Sequence, residues 1–396
     1  MAKRRSGTEG GPWHAIVARY CGGEKVIDRV ARLLESLGVE PTDDPRQLLQ
    51  YARRAYQKAT TRSERQALSL FVKSLQQHLP FVPITELETG ILRVESGIAT
   101  LDKLFAGLDA EMRPILGLPI SGVKVELYGP HGSGKTWIAL AFSVLAALND
   151  HPVYYIDTEG AVELPRVLRM ALMIGRNLGL SPQDVRRKLS EHFMYRRLAD
   201  ARLSELTSAL QTIADAGPGV VVVDSFTAAL DKEFSLDMKQ MRDRLPQRAT
   251  AIARYLAELD RLAASNFTVI QTMQVSTKPA TDSVADVLKR EYLKGGEKVK
   301  HYGYYVIAVV KVLTERGSYI AYVVDDGPIA SQIWGVLKIT LRGLEDVPCE
   351  EASQLTDVVS QLARIKPEYL ANCLSVEQLL GIEGLETGAR QGEGSQ

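Results

Sequence analysis

Cysteine is scarce in this 396-residue chain: only Cys21, Cys349 and Cys373 occur. Their wide spacing and odd number fit a reducing interior and exclude a disulfide framework or a CxxC metal site. Excess charge of one sign is also missing, because 48 Lys plus Arg balance 48 Asp plus Glu. Any nucleic-acid contact therefore has to come from local basic clusters rather than a globally basic surface. Long apolar runs do not occur. The longest, such as Val220 to Val223 and Tyr304 to Val310, are strand-sized and far short of a membrane span. The opening MAKRRSGTEGGP is charged and Gly-rich with no apolar segment behind it, so no signal peptide is expected. No internal repeat is visible. These absences lead to the expectation of a soluble, cytoplasmic protein without membrane association. What is present, 45% hydrophobic and 24% charged residues, is ordinary for a globular protein. The length predicts one large domain with smaller appendages.

Residues 1–12 read as a disordered tail. From 13 to 79 the pattern is helical: Val26-Ile27, Val30, Leu33-Leu34 and Leu37 repeat at three-to-four spacing, and Leu48 to Ala55 and Ala67 to Leu79 add two amphipathic runs. This predicts a small N-terminal all-α domain. A linker over 80–95 follows, containing Leu79-Pro-Phe-Val-Pro83. From 96 to 345 strands alternate with helices. Strands are expected at Val123 to Tyr128, Val153 to Ile156, Val220 to Val223 and Phe267 to Met273. The intervening helices are expected at about 134–148, Arg166 to Leu178, Leu203 to Ala214 and Thr250 to Ala264. That order, with fully apolar strands, predicts an α/β fold with a mainly parallel sheet covered on both faces. Tyr304 to Leu313 and Tyr319 to Val324, joined by Thr314-Glu-Arg-Gly317, predict an antiparallel edge hairpin, with a further strand at Val336 to Leu341. Residues 346–396 read as a helical extension of two helices and a disordered tail.

The most specific string is Gly129-Pro130-His131-Gly132-Ser133-Gly134-Lys135-Thr136, between a strand and a helix. Gly132 and Gly134 let the backbone curl so that successive N–H groups converge on phosphate oxygens. Lys135 reaches the β- and γ-phosphates, and Thr136 offers its hydroxyl to magnesium. The helix that follows directs its N-terminal dipole at the same anion. ATP and Mg2+ are the expected ligands. Arg166, opening a later helix, is counted among the nucleotide contacts. A magnesium site also needs a carboxylate on a neighbouring strand, and Val220-Val-Val-Val-Asp224 supplies one, with Ser225 following. Hydrolysis needs a water-orienting group. Tyr155-Ile-Asp-Thr-Glu-Gly160 puts Asp157 and Glu159 at the C-terminal end of another strand, where open α/β sheets build their sites. Glu159 is the candidate to polarise water, with a helix-capping role for either acid as the alternative. Gln274, ending the next strand, can hydrogen-bond a γ-phosphate without adding charge.

These pieces, in this order, resemble the RecA-type recombinases, in particular the archaeal RadA and eukaryotic Rad branch. The resemblance covers about residues 80–345. It rests on Ser96-Gly-Ile-Ala-Thr-Leu-Asp-Lys-Leu104, on Tyr155 to Gly160, on Thr272-Met-Gln-Val275, and on Gly295-Gly296 with His301 five residues further on. It implies a RecA-type P-loop ATPase core in which Glu159 activates water, Gln274 senses the γ-phosphate and His301 couples nucleotide state to DNA. It further implies two DNA-binding loops. The first would span about Asp231 to Arg248 with Lys232, Lys239, Arg242, Arg244 and Arg248. The second would span about Val275 to Lys300 with Lys289, Arg290, Lys294, Gly295 and Gly296. Such cations give sequence-independent, salt-sensitive binding to single- and double-stranded DNA; a solvated charged loop is the plainer reading of each run. Phe81 and Ile84 resemble the family's oligomerisation segment, which docks into a neighbouring subunit, and Asp325 and Pro328 its cap over the neighbour's ATP.

Departures from the family pattern are several. Ile84 stands for Ala and Met273 for Asn. The first loop is longer and lacks a Gly-rich tip, and Asp-Gly-Pro-Ile-Ala follows Asp325. Helix-hairpin-helix text is missing from the N-terminal helices; Leu379 to Leu385 resembles it instead. The reading is therefore a divergent member or paralogue. It would be a DNA-dependent ATPase forming ATP-bridged homo-oligomeric filaments on single-stranded DNA for homologous pairing in recombinational repair. Two alternatives stand beside it. One is a paralogue that binds ATP and DNA and assists another recombinase; the other is a ring-forming regulatory ATPase resembling the KaiC group.

Overall fold

The computed structural model describes residues 11–21, 24–78, 93–108, 113–120, 122–198, 201–214, 218–234, 238–275, 303–327, 333–362 and 365–382. Apolar residues at helical spacing in the first eighty positions form α1 (Pro12–Val17), α2 (Glu24–Glu35), α3 (Pro45–Lys58) and α4 (Arg62–His78). One stripe of each turns inward, and Trp13, Val30, Leu34, Leu49, Phe71 and Leu75 meet in a cluster of their own. Burying side chains of this size contributes about 1.5–3 kcal/mol apiece before the entropy of ordering is subtracted. Two short ladders precede the main sheet: β1 (Arg93–Val94) pairs β4 (Leu118–Pro119), and β2 (Gly107–Leu108) pairs β3 (Pro114–Ile115). Between them lies α5 (Ala99–Lys103).

The four valines of Val220–Val223 show how the main sheet is buried. Val220 and Val222 enter one apolar cluster, Val221 and Val223 the other, and all four are fully buried. Period-two alternation on an all-apolar strand means that both faces of the sheet are covered. Nine strands run in the order β13-β12-β11-β10-β5-β9-β8-β6-β7. They are β5 (Lys124–Gly129), β6 (Val153–Asp157), β7 (Phe193–Arg197), β8 (Val220–Asp224), β9 (Thr268–Gln274), β10 (Tyr305–Thr314), β11 (Gly317–Asp326), β12 (Trp334–Ile339) and β13 (Leu344–Asp346). From β10 through β5 to β7 the pairings are parallel, and from β10 to β13 antiparallel. On one face lie α6 (Lys135–Leu148), α7 (Leu164–Asn177) and α8 (Pro182–His192). On the other lie α9 (Leu203–Ile213), α10 (Phe226–Phe234) and α11 (Met238–Ala264). The expected α/β class, parallel core and antiparallel hairpin are therefore present.

Several elements differ from the sequence reading. α8 and β7 were not anticipated, because α8 buries only Val185 and Leu189 and β7 is an edge strand with mostly exposed side chains. The stretch Asp231 to Arg248, expected as a loop, is largely helical. α10 runs to Phe234, and α11 begins at Met238 rather than near Thr250. Within it Arg244, Leu245, Pro246 and Gln247 are exposed, so no apolar stripe marked them as helix. Pro246 lies within this helix, where the Thr250 hydroxyl donates to its carbonyl at 2.9 Å.

The cysteine expectation is corrected as well. Cys349 and Cys373 are joined by a disulfide across 24 residues, and Cys21 is free. A wide spacing in sequence sets no distance in a folded chain; here their Cα atoms lie 4.7 Å apart. The extension they staple consists of short helices at Cys349–Ser353, Thr356–Leu362 and Val376–Leu380 with a 3-10 turn at Pro367–Tyr369, where two helices were expected. It packs on the outer edge of β12. Leu370 bridges Trp334, Ala371 N donates to Trp334 O at 2.7 Å, and the Asn372 side chain both donates to and accepts from Val336. Among the described residues no helix is long and apolar enough to cross a membrane.

Candidate nucleotide site

Parallel pairing puts the C-terminal ends of β5, β6, β8 and β9 at one edge of the sheet. Gly129 is the register partner of Gln274, and Asp157 of Asp224. The segment Gly129 to Thr136 leaves β5 here and turns into α6. Two of its glycines, Gly129 and Gly134, are required by contact. A Cβ on Gly129 would sit 2.1 Å from Val309 O, and one on Gly134, at φ +104°, would lie 2.5 Å from Ile320 Cδ1. Lys135 is buried, and its ammonium donates to Gly129 O at 3.1 Å, Pro130 O at 2.7 Å and Ser133 Oγ at 3.3 Å. Burial pulls its pKa down to about 8, partly offset by the nearby charges of Asp224 and Glu159.

Asp224 is buried at the end of β8, and desolvation holds its carboxyl above the usual carboxylate range. Three hydroxyls oppose that shift: Thr272 donates at 2.5 Å, Tyr155 at 2.7 Å, and Thr136 completes the set. The link between Asp224 and Thr136 brings together the two residues expected at magnesium. Hydroxyl and carboxylate oxygens are hard donors that suit magnesium completed by phosphate and water. Among the described residues no cluster of three or more His, Cys, Asp or Glu side chains could hold a metal by itself.

The two acids at the C-terminal end of β6, Asp157 and Glu159, divide their work. Both oxygens of Asp157 are committed to the backbone that follows: Oδ1 accepts from the N–H of Glu159, Gly160 and Ala161, and Oδ2 from Val162 and the Tyr195 hydroxyl. Asp157 therefore shapes the turn that aims Glu159. The Glu159 carboxylate accepts from Ser225 Oγ at 2.6 Å and from Gln274 Nε2 at 3.1 Å. Gln274 is itself held by its backbone N–H, which donates to Thr227 Oγ1 at 2.9 Å, and its amide nitrogen lies 3.5 Å from His131 Nδ1. Thr158 ties β6 to β8, its hydroxyl donating to Ser225 O at 2.6 Å and accepting from Ser225 N at 2.8 Å. The Asp224–Ser225 peptide bond is cis.

A cleft of about 230 Å³ collects the predicted residues His131, Gly132, Ser133, Gly134, Lys135, Thr136, Glu159, Arg166, Asp224 and Gln274. It adds Trp137, Ala161, Lys311 and Ile339, which sequence reasoning missed. Arg166 lies over Trp137 at 5.0 Å and donates to Ala161 O at 3.3 Å. Ser225, Thr227 and Tyr155 were missed as positioning groups; the signal available was their place beside Asp224 and Asp157 at strand ends. Asp325 stands apart from the cleft, on β11, where Tyr128 donates to it at 3.2 Å. Of the first basic cluster, Lys232 and Arg244 are exposed and Arg248 is half-buried, while Lys239 and Arg242 lie along α11. Lys289, Arg290, Lys294, Gly295, Gly296, His301, Phe81, Ile84 and Pro328 fall outside the described residues.

The family model described as Rad51 matches residues 89–347, about two thirds of the chain. The chain belongs to the Rad51 family. Among curated relatives, the DNA repair and recombination protein RadB of Pyrococcus abyssi is 25% identical over 65% of this chain and 95% of its own length. The DNA repair and recombination protein RadA of Methanococcus maripaludis is 27% identical over 67% of this chain and 79% of its own. The human protein named DNA repair protein RAD51 homolog 2 is 30% identical over 39% of this chain and 42% of its own. A crystal structure of the RadB recombinase aligns with a TM-score of 0.44 at 23% identity, covering 59% of this chain and 93% of that one. This Rad51-family chain accordingly has a role in DNA recombination and repair.

Proposed function

We propose that this chain is a DNA-dependent ATPase that assembles ATP-bridged filaments on single-stranded DNA and supports homologous pairing. The observation that carries the reading is the hydrogen bond from Gln274 to Glu159 beside the loop of Lys135 and Thr136. A water-polarising carboxylate and a γ-phosphate-sensing amide touch one another, so the hydrolytic group and the sensor move as a pair. Lys135 and the loop N–H groups hold the triphosphate, and Thr136 with Asp224 hold magnesium, which screens the phosphate charge when bound. Glu159 takes the proton of the attacking water. The exposed cation Lys232 lies on α10, the helix that follows β8, and Arg244 on α11, and these supply the phosphate contacts of the first DNA segment.

A second reading is a paralogue that binds ATP and DNA and assists another recombinase. It draws on Met273 in place of Asn and on the altered text after Asp325. Steady-state ATP hydrolysis with and without single-stranded DNA, paired with negative-stain imaging of the ATP-bound protein, separates the two. DNA-stimulated turnover with helical filaments is the expected result. DNA binding without filaments selects the accessory role, and DNA-independent rings overturn both.

A further inference from the structure

A cavity of about 490 Å³ opens next to the nucleotide cleft, within the range of small-ligand sites. Its floor is apolar, formed by Ile98, Leu172, Met173 and Leu344, and three arginines line it: Arg169 and Arg176 from α7, and Arg342 from the turn between β12 and β13. Arg169 and Arg176 are two helical turns apart, about 11 Å along α7, and border the same side of the helix. Neither side chain has an ion pair or hydrogen bond with a described residue. The Arg342 guanidinium faces Glu345 at 3.5 Å.

Two acids, Glu345 and Asp346, line the same cavity and offset part of this charge. Both oxygens of Asp346 are taken by backbone N–H groups, Ala99 at 2.7 Å and Thr100 at 2.9 Å. Glu345 accepts from Thr340 Oγ1 at 3.0 Å besides facing Arg342. The cavity thus pairs an apolar base with two guanidinium groups, Arg169 and Arg176, that form no ion pair among the described residues, and guanidinium is the donor that recognises phosphate in fork geometry.

The cavity has no lining residue in common with the nucleotide cleft, but the two draw on neighbouring positions of the same elements. Arg166 lines the cleft and Arg169, three residues on, lines the cavity, so they are surface neighbours on α7. Across the partition, Ile339 of the cleft is the register partner of Leu344 of the cavity. We infer that this cavity is a second phosphate site, taking a nucleotide-like ligand whose base lies on the Leu172–Met173 floor and whose phosphate meets Arg169, Arg176 and Arg342. The source is either a free nucleotide or the phosphorylated end of a DNA strand. Through the α7 arginines its occupancy bears on the position of Arg166 at the first site. The inference does not depend on what the first site does.

Calorimetric titration of the full-length chain tests this with two probes, ADP and a terminally phosphorylated thymidine dinucleotide. Both are run on the Lys135→Ala variant, so that the first site contributes least, and again after adding Arg176→Glu or Arg176→Lys. At least one probe binds the Lys135→Ala variant. Arg176→Glu weakens that event about tenfold or more, and Arg176→Lys retains more of it. Adenosine, lacking phosphate, gives no Arg176-dependent binding. Which probe responds identifies the source. Neither probe binding, or equal affinity with and without Arg176→Glu, overturns the site whatever the outcome at Lys135.

Discussion

Asp157 and Asp224 are register partners on adjacent parallel strands, yet they hold opposite kinds of neighbour. Asp157 gathers four backbone N–H groups and a tyrosine hydroxyl, whereas Asp224 accepts from side-chain hydroxyls alone. One acid fixes the chain's path, and the other faces the cleft with partners that can rotate away. Their positions in sequence are alike, and only the contacts separate their roles.

That division predicts the effect of isosteric changes near it. Glu159→Gln should lower ATP turnover by roughly a hundredfold or more while leaving the affinity for ATP within a few-fold of the parent. Hydrolysis assays and nucleotide titrations on the same preparation check it. A variant that hydrolyses ATP at the parental rate removes Glu159 from the reaction.

Gly134→Ala should abolish nucleotide binding and destabilise the fold. Its Cβ would collide with Ile320 and occupy a left-handed backbone at φ +104°, a combination costing on the order of 1–3 kcal/mol. Gly132→Ala serves as the comparison, because nothing lies within 4 Å of a Cβ there and only its φ of +72° is unfavourable. Denaturant midpoints should rank the parent above Gly132→Ala and Gly132→Ala above Gly134→Ala.

The turn after β1 carries a pH signature. Asp102 is buried and accepts from Ser96 N, Ser96 Oγ and Gly97 N, and desolvation raises its carboxyl from 3.8 to about 6. The folded state therefore holds this proton across a range where the unfolded state has released it. The group's contribution to stability falls as pH rises from about 4 to about 6, by an amount on the order of 3 kcal/mol. Urea midpoints across this range should show that the slope of the parent exceeds that of Asp102→Asn. Parallel curves would exclude Asp102 as the source.

Reduction of Cys349–Cys373 should loosen the C-terminal extension. Opening a 24-residue loop costs about 2–4 kcal/mol in chain-entropy terms. Hydrogen exchange should rise at the N–H of Val336 and Ala371, which pair β12 with the extension. Exchange in the Gly129 to Thr136 loop should stay at its parental rate with Cys373→Ser.

Much of the centre was legible because its chemistry demands particular residues. A loop that wraps phosphate needs glycine at Gly129 and Gly134, and a doubly covered strand needs a run like Val220–Val223. What escaped were elements whose residues answer to neighbours rather than to their own pattern. β7 carries Phe193-Met-Tyr-Arg-Arg197 at a sheet edge where alternation has no buried face to match. Arg244 to Gln247 of α11 are exposed and so show no stripe. The cysteines at 349 and 373 are brought together by β12, and no feature of their spacing announces it. Ser225 and Thr227 were readable as strand-end neighbours but acquire a role only once Glu159 and Gln274 are placed beside them.

The docking of Leu370 to Asn372 along β12 has a consequence at the scale of the whole sheet. β13 covers Leu337 to Ile339, and the stapled extension reaches Trp334 and Val336, so the outer side of β12 is covered along its length. Among the described residues β7 pairs only with β6. Of the two edge strands in the described sheet, β13 offers the three residues Leu344–Asp346 and β7 the five residues Phe193–Arg197, so β7 presents the longer berth to a strand arriving from outside. Lateral pairing on this sheet is therefore weighted toward the border farthest from the disulfide.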